Sequence, residues 1–403
     1  MSFDFELTNK PVIAILLGAP FTSQNYERIG VPYLKVNFEV VVLDCNPWLR
    51  ARYDSLFFIE HDYPKIVTIT SAANFKNVIR QLKPAYAIDN INDISSRRFI
   101  QKTLQLHGTK YVIPVTGRLP APSRGQRVNE YLEMVVKQPY GFLLKVIRRV
   151  LIYIKESRIY EPDIVLLAGR KSLDSYTASA KNILWVASGD YYIYKNIQDR
   201  SAYQNMSLPV QGRYALFIDD CIAIATDYIL LGSSRPVESE SYFILLRQAF
   251  DRLERITGMQ VVVAAHPHGK DIKNYTSLFG ERQVFFDLTG ELCMNSDLVL
   301  SHVSTGMGFA ALWRKPLIIL TSESLDKSWL SACIRTLSNY LDCQLLFMES
   351  DDQRYEEVLQ QSKDMNEEAY KHFIDDFIRS DEVNEVAPWQ AFTNFVKQSS
   401  DGV

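Results

Sequence analysis

QVVVAAHPHG (residues 260–269) and SDLVLSHVSTGMGFAALWRKPLIILT (296–321) are the stretches that decide the fold. Val261–Ala265 and Leu298–Leu300 are short apolar runs of the kind buried on both faces of a parallel sheet. The first gives way to His266-Pro267-His268-Gly269, the second to Ser301-His302-Val303-Ser304-Thr305-Gly306. Met307–Trp313 reads as a short helix, and Pro316 opens a further strand, Leu317–Leu320. Ligands of open α/β sheets bind at the carboxyl ends of the strands. Ser304, Thr305 and Gly306 then stand where free backbone N–H groups and a helix dipole favour an anion. With His266 and His302 nearby, the constellation reads as a phosphate site. Serine and threonine are also ordinary helix N-caps, so Ser304 taken alone needs no ligand to explain it.

The same rhythm extends outward. Strands are expected at Val12–Leu17, Phe38–Leu43, Lys65–Thr70, Tyr86–Ile88, Tyr111–Val115, Asp163–Ala168 and Asn182–Ala187. A second series runs through Tyr214–Ile218, Val284–Phe286 and Gln344–Met348, with a helix at Ser239–Thr257 stopped by Gly258. Strand alternating with helix predicts parallel, doubly wound sheets. The turn at Gly18 is not a G-x-G-x-x-G fingerprint, so no dinucleotide site is read there. The expected organisation is an N-terminal domain over 1–195, a polar linker at 196–212, a C-terminal domain over 213–380 and a helical tail at 381–403.

At 403 residues the chain is long enough for two domains. A net charge of −3 argues against a general nucleic-acid binder, so no nucleic-acid partner is expected. Five cysteines without zinc or C-x-x-C spacing suit reduced thiols. The acidic start lacks a signal-peptide core, and no run of about 18 apolar residues spans a membrane. The expected location is the cytoplasm. Arg118 to Tyr140 reads as a long exposed loop, and residues 142–157 (FLLKVIRRVLIYIKES) as a basic amphipathic helix. Such a helix either lies on an anionic membrane at its inner face or packs with snorkelling basic stems; both readings stand.

Together these features resemble a family group. Two doubly wound halves with a phosphate site in the second give the GT-B architecture, with the domains facing a central cleft. The half from Tyr214 to Leu320 resembles bacterial surface-polysaccharide transferases that use cytidine-nucleotide donors: sialyltransferases, Kdo transferases and, more distantly, CDP-glycerol polymerising enzymes. The resemblance rests on His266-Pro267 at a strand end, Ser304-Thr305 before a short helix, and Lys315-Pro316 before the next strand. It implies that His266, Pro267, His302, Ser304, Thr305 and Gly306 hold a CMP-sugar donor. It also implies transfer of an acidic keto-sugar, Kdo or a nonulosonic acid, to a glycan or lipid-linked acceptor of capsule or lipopolysaccharide. Sialyltransferases carry an Asp/Glu-Asp-Gly motif, where this chain has Asp219-Asp220-Cys221.

Transfer from such a donor passes through an oxocarbenium-like state, so a carboxylate must flank the anomeric carbon or take the acceptor proton. Asp219 is expected against the donor carbon and Asp190 beside the acceptor. Asp220 is the lesser choice because side chains alternate along a strand. No cofactor is expected, and no Asp-x-Asp stands where a metal would meet a diphosphate. The competing readings are a GT-B-fold UDP-N-acetylglucosamine-type epimerase and a non-catalytic glycan-assembly scaffold.

Overall fold

The computed structural model describes residues 9–18, 21, 26, 29–49, 65–91, 94–122, 161–175, 180–203, 210–224, 235–380 and 386–401. The expected basic helix at 142–157 and most of the loop before it, with Arg124 and Arg127, lie outside them. The fold is α/β, with two units. The first unit lies within Met1–Thr116, Asn129–Ala187 and Glu382–Val403, the second within Gly117–Val128 and Ser188–Asp381. No helix among the described residues is long and apolar enough to cross a membrane.

Among the described residues the first unit holds seven strands: β1 (Val12–Leu17), β2 (Glu39–Asp44), β3 (Lys65–Thr68), β4 (Tyr86–Asn90), β5 (Lys110–Val115), β6 (Ile164–Ala168) and β7 (Asn182–Val186). They lie in the order β3-β2-β1-β4-β5-β6-β7, every pairing parallel. All six residues of β1 are buried, as a strand covered on both faces requires. Ile13, Ile15 and Leu17 face a cluster with Val31 and Leu34 of the Val31–Asn37 helix. Val12, Ala14 and Leu16 face Phe75, Val78, Ile79 and Leu82 of the Ala72–Leu82 helix.

The expected tail is helical, but it is not an appendage. The Pro388–Asp401 helix sends Trp389, Phe392 and Val396 into the β1 cluster of the first unit. Gly30, at φ +74° before the Val31–Asn37 helix, has no room for a side chain: a Cβ there would lie 2.0 Å from the Trp389 ring.

The second unit repeats the pattern with β8 (Tyr214–Ile218), β9 (Gln260–Ala264), β10 (Val284–Phe285), β11 (Leu298–Ser301), β12 (Leu317–Thr321) and β13 (Gln344–Phe347). Their order is β10-β9-β8-β11-β12-β13, again all parallel. The Ser239–Thr257 helix lies where expected. The Glu238 carboxylate accepts the N–H groups of Glu240 and Ser241 at its start, and Gly258 closes it at φ +66°.

The domain boundary differs from expectation. Residues 196–203 are not linker: they belong to a helix, Gly189–Tyr203, of the second unit. Its polar residues read as a loop, yet Ile197 is fully buried and faces Gly290, where a Cβ would lie 2.6 Å from the Ile197 side chain. The first unit's strands end at Val186, so the boundary falls at Ala187–Ser188 rather than near 195.

If the tail helix completes the first core, Phe392→Ala should cost about 3–5 kcal/mol, as for other buried Phe truncations. Hydrogen exchange of the β1 amides should accelerate accordingly. Unchanged protection of β1 in the variant would detach the tail from that core.

Candidate functional site

In the second unit the strand order reverses at β8, between β9 and β11. Crossovers on either side then leave toward opposite faces, opening a crevice beyond the strand ends. Ile218 registers with Ala264 of β9 and Ser301 of β11. Asp219-Asp220, His266 and His302-Val303-Ser304 therefore leave the sheet together.

Asp219, expected against the donor carbon, is held closely by its neighbours. It is 3% exposed, and both carboxyl oxygens are engaged. Oδ1 accepts the Cys221 N–H at 3.1 Å, and Oδ2 accepts the Tyr275 hydroxyl. Burial, then the neighbouring Asp220 charge, push it up to about 6, against the pull of those donors. Asp220, set on the other side of the chain by strand alternation, is only half-buried. Its Oδ2 accepts the Val303 N–H at 2.8 Å, while Oδ1 has no partner. Burial raises it to about 7, offset in part by the N–H groups of Val303, Asp220 and Ile222.

The two histidines separate as well. His302 is fully buried, which does not suit the phosphate contact expected of it. Its Nδ1 lies 2.8 Å from the Leu320 carbonyl and its Nε2 2.9 Å from the Tyr242 hydroxyl. A carbonyl can only accept, so Nδ1 carries the proton and Nε2 accepts from Tyr242. Burial lowers the imidazolium to about 4, and the ring stays neutral. His266 caps the 3₁₀ turn Pro267–Asp271 with its Nδ1, which accepts the His268 N–H at 3.3 Å. Pro267, at the start of that turn, lacks the N–H that the first position would leave unused.

Ser304, Thr305 and Gly306 do adjoin a helix, Met307–Leu312, but its first turn is already spent. The N–H groups of Met307, Gly308 and Phe309 bond the carbonyls of Ser304, Thr305 and Gly306 at 3.2, 3.0 and 3.0 Å. Gly306 N–H goes to the Ser304 hydroxyl oxygen at 3.2 Å. What remains unspent among the described residues are the N–H and O–H groups of Ser304 and Thr305: four donors on two adjacent residues, Thr305 exposed and Ser304 half-buried.

Asp190 belongs to the second unit. It does not close a strand of the first unit but stands in the first turn of the Gly189–Tyr203 helix. A Cβ on Gly308 would come within 3.8 Å of its Oδ2, so it neighbours the Met307–Leu312 helix in the second unit. Tyr275, Tyr242 and Gly269 were not legible as site residues. Their roles rest on contacts across 56 and 60 residues of chain, and on a ring beside a glycine.

The carboxyl pair makes a pH prediction. A carboxyl whose folded pKa lies above its unfolded value favours folding while protonated, and that advantage is lost as pH rises through the folded value. The stability of Asp220→Asn relative to the native chain should therefore be greater near pH ~8 than near pH ~5. Thermal unfolding at the two values measures this. An equal difference at both would mean that Asp220 titrates normally.

No protein-family model matches the sequence, and no curated protein matches it. Solved structures share its architecture. The wall teichoic acid polymerase TagF is similar at a TM-score of 0.52 and 14% identity, over 98% of this chain and 91% of that one. A variant of that polymerase soaked with CDPG gives 0.51 and 13%, over 98% and 90%. MurG of Acinetobacter baumannii gives 0.51 and 9%, over 96% and 99%. At these identities the likeness speaks for the fold, two Rossmann-like units of the GT-B type.

Proposed function

We propose that the chain is a glycosyltransferase that takes its sugar from a cytidine-nucleotide donor bound by the second unit. The observation that carries the reading is the set of unspent Ser304 and Thr305 donors at the β8/β11 reversal, beside the half-buried Asp220. Four neutral donors on two adjacent residues beyond a strand end suit a phosphate oxygen that gains negative charge as it leaves. His266, on the adjacent strand end, adds an imidazole. Cytidine is favoured by the His266-Pro267 and Ser304-Thr305 resemblance, and by the CDPG-soaked polymerase that shares the fold. Within that class the resemblance points to a CMP-activated acidic keto-sugar and a surface glycan or glycolipid acceptor.

Asp220 is the carboxyl suited to proton transfer. It keeps one oxygen, itself buried, without a protein partner, and burial brings it near neutrality, where a general base works best. Asp219, with both oxygens committed, and Asp190, on a helix of the second unit, are less suited than the sequence implies.

Thermal shift with CMP, CDP and UDP tests the donor class. Stabilisation by the cytidine nucleotides supports the proposal, stabilisation by UDP alone favours the epimerase, and none favours a scaffold. Ser304→Ala should weaken CDP or CMP binding about tenfold to a hundredfold, the range of one hydrogen bond to a charged group. Asp220→Asn should leave binding intact and cut turnover by ~10²-fold. Turnover should persist in EDTA. A loss restored by magnesium would assign Asp219-Asp220 to a cation instead.

A further inference from the structure

We propose that Asp219, Tyr275 and Gly269 form a clamp that positions His266, with the Asp219 carboxylate acting as a positioning group rather than a reacting one. The inference rests on the donor-site reading only for what His266 is positioned to meet.

A four-residue His-Pro-His-Gly turn offers little of its own to fix an imidazole. Here three constraints converge on it. Within the turn, the Gly269 N–H bonds the His266 carbonyl at 2.8 Å, and the His268 N–H reaches His266 Nδ1 at 3.3 Å. The two imidazoles stack with centroids 5.0 Å apart and planes 12° from parallel. From β8, the Asp219 N–H bonds the Ala264 carbonyl at 3.0 Å, which ties the central strand to the one that leads into the turn. From the following segment, Tyr275 holds Asp219 through its hydroxyl. Its ring is 2% exposed and packs against Phe279 and Phe286, with centroids 5.5 and 5.9 Å apart.

Gly269 lets these parts close. A Cβ there would lie 2.4 Å from Cε1 of Tyr275 and 2.5 Å from Cζ, inside the ring's contact distance. The turn can therefore lie against the tyrosine only if residue 269 has no side chain. The arrangement also fixes a tautomer. His266 Nδ1 faces an N–H, so it must keep its lone pair, and the neutral ring carries its proton on Nε2. The clamp thus presents His266 as an Nε2–H donor.

The test has a readout that needs no nucleotide. Imidazole ¹⁵N spectra of the ligand-free protein, with His266 assigned by comparison with His266→Gln, report its tautomer. The native chain should show the Nε2–H form once its spectra stop changing with rising pH. Tyr275→Phe keeps the packed ring and removes only the hydroxyl. It should shift His266 toward the tautomer mixture of a free imidazole. Gly269→Ala, which displaces the same ring, should do likewise. In parallel, CDP affinity should fall about threefold to tenfold in both variants, the range of one net hydrogen bond. If the His266 signals stay native in both folded variants, the clamp is refuted, whatever happens to melting temperature. If they shift while the native chain binds no CDP, the clamp stands and the donor assignment fails.

Discussion

Two parallel strands cannot be joined by a tight turn, because the chain must cross back to the edge from which it started. All thirteen strands of the two sheets obey this constraint, and much else follows from it. Every strand delivers its last residue to the same edge, and the polar residues after each apolar run gather there. Where the order reverses, the crossovers diverge and leave that edge uncovered. In the first unit the reversal lies at β1, where Leu17 registers with Asp44 and Asn90. In the second it lies at β8 and gathers Asp219, Asp220, His266, His302 and Ser304.

The two reversals are furnished differently. In the first, Asp89 is buried beneath the Tyr111 hydroxyl, the Ile91 N–H and the Arg97 guanidinium, whose Nε lies 3.6 Å away. Burial pushes it up, and those partners pull it back. In the second, Asp219 and His302 are treated alike, each meeting a tyrosine hydroxyl brought from another element. A buried titratable group without a partner costs far more than a paired one, and a tyrosine supplies the bond on a large apolar ring. Asp220, Ser304 and Thr305 received no such partners. The contrast separates the groups held by a tyrosine from those that are not.

Much of this was legible in the sequence, for a local reason. A buried parallel strand is a short apolar run, and each expected strand lies within about two residues of the observed one. The Ser239–Thr257 helix was legible because Phe243, Leu246, Phe250 and Leu253 repeat along one face. The Gly189–Tyr203 helix was not, since its two isoleucines, exposed Ile193 and fully buried Ile197, stand among polar residues and tyrosines. The gathering of His266, Ser304 and the Asp219-Asp220 pair at one edge follows from topology and was foreseen. Which members are occupied was not, because occupancy depends on partners far along the chain. Asp219 looks reactive until Tyr275 is beside it, and His302 looks like a ligand until Tyr242 and the Leu320 carbonyl enclose it. Neither pairing leaves a periodic mark in the sequence.

The return of the Pro388–Asp401 helix to the first unit sets an order of events during synthesis. A ribosome extends the chain from the N-terminus, and a domain normally folds once its last residue has emerged. Here β1 to β7 emerge by Val186, but the side chains that cover Ile13, Ile15 and Leu17 include Trp389, Phe392 and Val396. The second unit, whose six strands end by Phe347, has its whole sheet available earlier than the first unit has its complete core. One face of the first sheet must wait, partly uncovered, through the translation of some two hundred residues. The part of the chain made first is therefore the part finished last, and it is the nascent first unit that most needs shelter from aggregation.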